Sequence, residues 1–192
     1  MPNVIDLVPL ARRLVFHEVD PARWQDLERL FESRGGPKHC WCMVWRPMPK
    51  GTDRSDTRAK KSVLQGLVQG GTPIGILGYL DGEPVAWCSI APRSTYRNLG
   101  AKDDLTVDPA RVWSLVCFFV PRRFRGQGVM TALLQAAVAH AKENGASIVE
   151  AYPVALDSHS YRFMGFIPSF EAAGFQEVGM AGTRRHVMRL VL

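Results

Sequence analysis

A basic turn with two glycines joins an apolar run to an amphipathic helix pattern in the segment 118–134. The start of a helix leaves backbone N–H groups unpaired and carries the positive end of the helix dipole, so it attracts a phosphate group. Gly126 and Gly128 remove side chains that would keep a phosphate away from the backbone. The arginines within 122–125 add cations that can bind phosphate oxygens in pairs. The spacing therefore predicts a polyphosphate site at the start of this helix.

The turn has neither of two common nucleotide-binding patterns, Gly-x-Gly-x-x-Gly and Gly-x-x-x-x-Gly-Lys-Ser/Thr. The run 125–130, Arg-Gly-Gln-Gly-Val-Met, resembles instead the acyl-CoA-binding segment of the GCN5-related N-acetyltransferases, Arg/Gln-x-x-Gly-x-Gly/Ala followed by an amphipathic helix. Met130 stands at the last, small position of that pattern. A register that begins at Arg123 also satisfies it, but the first register places Val129 on the apolar side of the helix, as the family does.

The resemblance implies that acetyl-CoA is the co-substrate and that no metal is required. Backbone groups of the apolar strand would pair with the pantetheine arm, and one N–H would polarise the thioester oxygen as an oxyanion donor does. The residues that the resemblance assigns to the donor are Phe118, Phe119, Val120, Arg125, Gly126, Gln127, Gly128, Val129, Met130 and Thr131.

Glu150 is the candidate catalytic base. A lysine-like amine is mostly protonated near neutral pH, so a carboxylate that acts directly or through a water can remove its proton before attack. Glu150 lies in an apolar strand pattern, 148–152, at the position where several family members place their base. The other interpretation is that strand alternation turns this carboxylate to solvent or to an arginine. Both interpretations stay open at this point.

The general acid is not fixed by the resemblance. Many family members carry a tyrosine four residues before a Gly-Phe pair in the last helix, but here that position is Phe170, which has no proton to donate. Ser169, Tyr152 and Tyr161 are substitutes, and an unassisted thiolate with a thiol pKa of about 8.5 can take its proton from water.

The run 39–42, His-Cys-Trp-Cys, raises the question of a metal or a nucleophile. It supplies at most three ligands, and no second Cys/His pair has suitable spacing. A nucleophilic Cys40 activated by His39 lacks a third member. We favour a packing role for this aromatic and sulfur-rich segment, as one wall of the acceptor pocket.

The element order that positions these residues is strand, helix, helix, three strands, helix, strand, short helix and two strands. Strands are predicted over 14–19, 74–80, 85–91, 110–120, 147–154, 176–180 and 186–190, and the longer helices over 21–33, 56–69 and 128–143. Residues 92–109 are expected to form a long loop. This order predicts a single-domain α/β fold similar to that of the acetyltransferases, with a mixed central sheet flanked by helices. Residues 1–192 form one domain in this interpretation, with 1–10 as an N-terminal extension and 34–55 as an irregular acceptor-side segment.

Composition limits the other function classes. The chain has 192 residues, 46% of them hydrophobic, and a formal net charge of +6, which a CoA partner partly explains. Basic residues are scattered and do not alternate with aromatic residues, which disfavours nucleic acid as the partner. The longest apolar stretch, Val112 to Val120, is too short to cross a bilayer, and no signal peptide is recognised. We therefore expect a soluble, cytoplasmic protein with four reduced cysteines.

The function predicted from this sequence is acyl transfer from acetyl-CoA to a primary amine, by direct attack in a ternary complex. The acceptor amine is not identified, and the oligomeric state stays open, a homodimer included. A CoA-binding sensor or regulatory module that has lost catalysis is the first alternative, because the usual tyrosine is missing. A nucleic-acid-binding protein is the second alternative, and steep salt dependence of oligonucleotide binding would identify it.

Overall fold

The computed structural model describes residues 9–101 and 108–192. Within these ranges the chain forms seven strands and four α-helices, joined by turns that include several short 3₁₀ turns. The strands are β1 (Val15–Glu18), β2 (Ile76–Leu80), β3 (Glu83–Pro92), β4 (Val112–Phe119), β5 (Ile148–Ala151), β6 (Gln176–Ala181) and β7 (Arg185–Val191). The helices are α1 (Trp24–Glu32), α2 (Thr57–Gln69), α3 (Val129–Glu143) and α4 (Ile167–Glu171).

The strands form one mixed sheet in the order β1-β2-β3-β4-β5-β7-β6. Neighbouring strands are antiparallel except β4 and β5, which are parallel. The apolar sides of α1 and α2 pack on one face of the sheet, and those of α3 and α4 pack on the other. The predicted α/β fold with a mixed sheet flanked by helices is confirmed.

Local sequence signals explain where the helices begin. The side chain of Asp56 accepts hydrogen bonds from the backbone N–H groups of Arg58 and Ala59, which makes it the N-cap of α2. Asp20 caps the 3₁₀ turn Pro21–Arg23 in the same way, and α1 continues directly from that turn. Helix α3 has no side-chain cap, since Gly128 precedes its first residue. The described residues contain no helix that is both long and apolar enough to cross a bilayer.

Several predicted boundaries differ from the structure. The strand predicted over 110–120 begins at Val112, because Asp108 caps a 3₁₀ turn over Pro109–Arg111. The strand predicted over 147–154 ends at Ala151, and Val154 pairs with Phe166 as an isolated bridge. The predicted loop 92–109 contains the short 3₁₀ turn Arg93–Thr95, and its residues 102–107 lie outside the described residues. The predicted extension 1–10 also lies outside them, apart from positions 9 and 10.

Candidate active site

Strands β4 and β5 separate halfway along β4. Their paired residues run from Val112 opposite Ile148 to Leu115 opposite Ala151, and there the pairing ends. The second half of β4, 116–119, continues beside β3 alone. Because backbone groups of a strand point alternately to its two neighbours, those of 116–119 that point toward β5 have no strand to pair with. In the described residues, the backbone groups of 116–119 form no backbone hydrogen bond to a segment other than β3.

A bulge in β4 lies at the point where the two strands part. Cys117 is opposite Ser89 and Leu115 is opposite Ile90, so Val116 is the extra residue between them. A bulge bends and twists a strand locally and redirects the residues beyond it. The register shift thus coincides with the end of the β4–β5 pairing.

The predicted phosphate turn follows this open edge directly. Gly126 and Gly128 have φ of 72° and 77°, backbone conformations that other residues rarely adopt. Beside Gly126, the space that a Cβ would enter has no atom within 4 Å. With no side-chain cap on α3, the first N–H groups of the helix are available to an anion. The turn therefore fits a phosphate group by its backbone alone.

Two exposed side chains of the turn brace it by hydrogen bonds to backbone carbonyls. The Nε atom of Arg125 donates to the carbonyl oxygen of Val120 at 2.8 Å, and the Nε2 atom of Gln127 donates to that of Arg123 at 2.8 Å. The guanidinium of Arg123 lies 4.7 Å from the ring centre of Phe124. These bonds fix the turn and leave the terminal nitrogens of Arg125 available to a phosphate.

Glu150 is fully buried on the face of the sheet that carries α1 and α2. Its Oε2 accepts a hydrogen bond from Nε of Arg189 at 2.8 Å, and Nη1 of Arg93 lies 3.6 Å from its Oε1. The hydroxyl of Tyr152 donates to the same Oε1. The structure therefore gives Glu150 the arginine partners of the second interpretation, and its role as a base stays a prediction.

Tyr152 connects Glu150 to a cleft of about 460 Å³. Burial, together with the charge of Glu150, raises the pKa of Tyr152, so its hydroxyl stays protonated and available as a donor. Arg93 also lines this cleft, together with Tyr96 and Arg97. The Glu150 carboxylate thus contacts two residues that line the cleft, Arg93 and Tyr152, and the Tyr152 hydroxyl could pass a proton from the cleft to it.

Phe170 fills the core at the position where many family members carry a tyrosine. It is fully buried, and its ring lies 6.1 Å from that of Phe118 and 5.2 Å from that of Phe175. Gly165 provides the room, since a Cβ there would lie 2.7 Å from the Phe170 ring. Ser169 is exposed on α4, and Tyr161 packs beside Trp45 with ring centres 6.2 Å apart. The structure brings neither of these two together with Glu150.

The segment 34–55 is built from turns and bends and packs through its large side chains. Trp41 is buried and stacks on Trp24 with ring centres 5.9 Å apart. The Sγ of Cys42 lies 3.0 Å from that of Cys117 in β4 and accepts a hydrogen bond from Nε1 of Trp87 at 3.1 Å. The segment is thereby held against the unpaired half of β4, and its role as a wall of the acceptor pocket stays a prediction.

The cysteines of this segment are protonated thiols. Hydrogen bonding to Cys42 and burial raise the pKa of Cys40, and burial raises that of Cys42. Both shifts disfavour the thiolate that a nucleophile or a metal ligand needs. Across the described ranges, no group of three His, Cys, Asp or Glu side chains is arranged to hold a metal ion.

Arg46 is a buried residue that the sequence interpretation missed. Its guanidinium donates to Oγ1 of Thr95 at 2.8 Å, to the carbonyl of Ile74 at 3.2 Å and to the hydroxyl of Tyr96 at 3.2 Å. It therefore connects the segment 34–55 to the start of β2 and to the turn after β3. The sequence offers no signal for this role, because an arginine in an irregular segment is ordinarily exposed.

Residues 24–166 match the family model described as the acetyltransferase (GNAT) family. Because this match spans more than half of the chain, the protein belongs to the GNAT family of acetyltransferases. Among curated proteins, no sequence match was found.

Solved structures share the fold at low sequence identity. AAC(6')-Ib, solved with acetyl-CoA, has a TM-score of 0.60 and 14% identity over 93% of this chain and 93% of its own. A GCN5-related N-acetyltransferase from Kribbella flavida has a TM-score of 0.57 and 18% identity over 94% and 99%. A ribosomal-protein-alanine N-acetyltransferase from Brucella melitensis has a TM-score of 0.56 and 18% identity over 93% and 99%. These structural similarities show that the chain shares the fold of these proteins.

Proposed function

We propose that the protein is an acetyl-CoA-dependent N-acetyltransferase that acetylates an amine by direct attack in a ternary complex. The observation that carries the proposal is the unpaired half of β4, which leads into the uncapped, glycine-lined start of α3. An extended thioester arm needs such a strand edge, and a pyrophosphate needs such a helix start.

The donor is held mainly by the backbone. Phe118, Phe119 and Val120 offer backbone groups to the pantetheine arm, and their side chains stay packed in the sheet. The N–H groups of Gly126 to Thr131 face the pyrophosphate, and Arg125 adds charge. One backbone N–H among Phe118, Phe119 and Val120 stabilises negative charge on the thioester oxygen. When bound, acetyl-CoA supplies an acetyl group activated as a thioester.

Glu150 receives the proton of the attacking amine, through Tyr152 or a water in the neighbouring cleft. Arg189 and Arg93 hold the carboxylate in place by charge-assisted hydrogen bonding and contact. This arrangement favours a relayed proton, because both carboxylate oxygens already have partners. A thiol of pKa about 8.5 can leave as a thiolate and take its proton from water, which fits Phe170 at the usual tyrosine position.

The similar structures support the donor but differ in acceptor. AAC(6')-Ib was solved with ribostamycin and coenzyme A, and the Brucella protein is described as acting on a ribosomal-protein alanine. Function resides in the site and not in the fold, so neither acceptor is carried over to this chain.

Release of the CoA thiol from acetyl-CoA in the presence of a panel of amines tests the proposal. Amine-dependent thiol release with formation of the acetylated amine is the expected result. Tight binding of acetyl-CoA with no turnover of any amine would instead support the sensor alternative.

Gly128→Glu should abolish acetyl-CoA binding, because it places a side chain and a negative charge in the phosphate space. Gly128→Ala is the uncharged comparison. Both variants suffer the unfavourable φ of 77° and a Cβ 3.2 Å from that of Ala11, so any further loss of binding in Gly128→Glu comes from the longer, negatively charged side chain. Gly66→Glu adds the same side chain to open space on α2 and is the matched control. Calorimetric titration with acetyl-CoA measures the result, and parent-like binding by a folded Gly128→Glu protein would refute the site.

A further inference from the structure

A second cleft, of about 320 Å³, is lined largely by residues of the segment 34–55. Its wall is the same segment whose Cys42 contacts Cys117 in the unpaired half of β4. It shares Arg97 with the cleft that contains Tyr152. The residues that line it are Cys40, Met43, Val44, Trp45, Met48, Arg54, Lys60, Arg97 and Tyr161.

Three cations and no carboxylate belong to this lining. Nη2 of Arg54 donates to the carbonyl oxygens of Met43 and Val44 at 3.1 and 3.3 Å, and Nζ of Lys60 donates to that of His39 at 2.9 Å. The guanidinium of Arg97 lies 5.6 Å from the ring centre of Trp45. Neutral groups therefore fix these cations in position without cancelling their charge. Within residues 9–101 and 108–192, none of the three forms an ion pair.

The carboxylates closest in sequence have other partners. Asp53 accepts hydrogen bonds from the backbone N–H and the hydroxyl of Ser55, which lower its pKa, and Lys60 makes the smallest contribution to that shift. Asp56 caps α2. The neighbouring Lys61, on the same helix α2, does form ion pairs, with Glu28 and Glu32. The unneutralised charge is thus a property of this cleft and not of α2 as a whole.

A buried arginine behind the cleft, Arg185, strengthens its positive potential. Arg185 lies 4.3 Å from the ring centre of Trp45 and donates to the carbonyl of Leu99 at 2.8 Å. Burial lowers the pKa of the Arg185 guanidinium, which means that its charge is costly in this site. An anion in the cleft would offset part of that cost.

The rest of the lining is apolar. Met43 and Trp45 are buried at its base, and Met48 and Tyr161 complete the wall. Thioether and aromatic side chains adapt to flat or irregular apolar groups. The cleft thus offers an apolar floor with cations at its rim.

We propose that the cleft bounded by Trp45, Arg54 and Arg97 binds an acceptor amine that carries a carboxylate and an apolar body, of which a free aromatic or aliphatic amino acid is the simplest example. The inference rests on the proposed acetyltransferase function, whose acceptor it specifies. A polycationic acceptor such as an aminoglycoside or a polyamine is disfavoured, because like charges would meet at the rim.

Matched amines with and without the carboxylate test the acceptor class. L-phenylalanine is compared with phenylalaninamide and phenethylamine, with spermidine as the polycation, in thiol-release assays and in calorimetric titrations of the CoA-saturated protein. L-phenylalanine should bind and react about tenfold or more better than phenethylamine, from charge-assisted hydrogen bonds that only the carboxylate can accept. Phenylalaninamide has the less basic amine, so an advantage of the free acid over the amide cannot come from easier deprotonation.

Two variants test whether the preference for a carboxylate-bearing amine depends on this cleft. Arg97→Glu should lower the preference for phenylalanine over phenethylamine about tenfold or reverse it. Arg58→Met removes a cation from the exposed side of α2 and should leave the ratio unchanged. Equal or better binding of phenethylamine or spermidine by the parent protein, or an unchanged ratio in folded Arg97→Glu, would overturn the inference.

The two proposals fail differently in these measurements. Turnover of spermidine without phenylalanine would leave acetyl transfer standing and refute the acceptor class. Calorimetric binding of phenylalanine, lost in Arg97→Glu, with no thiol release from any amine would refute the acetyltransferase and support the ligand class of the cleft.

Discussion

Replacing Glu150 by glutamine separates its ion pairing from its proposed role as a base, because stability and catalysis respond to different properties of the carboxylate. The substitution keeps the shape and removes the charge. In the folded protein, Arg189 then loses a buried carboxylate partner, while one amide oxygen can still accept from Tyr152 or Arg189. Breaking a buried ion pair from one side costs about 3–5 kcal/mol, and the remaining acceptor favours the lower end, about 3 kcal/mol.

The catalytic effect should depend on pH. If Glu150 takes the proton of the amine, acetyl transfer by Glu150→Gln should fall about a hundredfold at neutral pH, a loss of about 2.7 kcal/mol in transition-state stabilisation. The variant should then recover by about tenfold per pH unit as the amine deprotonates unaided, whereas the parent rate levels off. Affinity for acetyl-CoA should change little.

The assay is steady-state thiol release between pH 6.5 and 9.5, beside urea unfolding of each variant. Glu143→Gln, which removes an exposed carboxylate at the end of α3, is the control for the change in charge. A loss of activity that is equal at every pH, accompanied by the loss of stability, would refute the base and leave Glu150 as a structural ion-pair partner. An unchanged rate would mean that another group or water takes the proton.

Three further predictions concern stability and reactivity. Arg46→Lys should lower the free energy of unfolding by about 3 kcal/mol, because an ammonium group cannot reach Thr95, Ile74 and Tyr96 together. Urea unfolding measures this loss. A loss no larger than that of the exposed control Arg58→Lys would contradict the prediction. Burial raises the pKa of Cys42 and Cys88, so an aromatic disulfide reagent at pH 8 should modify them only in unfolded protein, and rapid reaction of both in the folded state would contradict their burial. Burial also lowers the pKa of His140, so this residue stabilises the fold above its unfolded pKa of about 6.5, and that contribution is lost as the pH falls below it. His140→Gln should therefore lose less stability between pH 7.5 and 5.5 than the parent does, and an equal loss would show that other groups govern the acid sensitivity.

Elements with local signals were predictable from the sequence. Asp81-Gly82 forms the tight turn between β2 and β3, with φ of 52° and 83°, as the hairpin pattern indicates. Asp56 begins α2 and Asn144-Gly145 ends α3, because capping depends on neighbours in the chain. The arrangement of strand, two-glycine turn and helix start at 112–129 was predictable for the same reason, whereas phosphate binding there stays a prediction.

Contacts between segments far apart in the chain could not be predicted from local sequence signals. The end of β4–β5 pairing and the bulge at Val116 depend on how three strands align, which single-strand periodicity does not encode. The partners of Glu150, Arg93 and Arg189, come from the turn after β3 and from β7. An alternating pattern indicates the face on which Glu150 lies, but not which arginines lie opposite it.

If the turn before α3 binds the pyrophosphate as proposed, its bracing has a kinetic consequence. Arg125 and Gln127 are already bonded to carbonyls within the turn, and the two glycines already hold left-handed conformations. Little conformational entropy remains to be lost when a polyphosphate arrives, so the encounter resembles docking of a charged body on a rigid, cationic surface. The association rate should therefore fall as ionic strength rises and the Debye length shortens, while the dissociation rate changes far less.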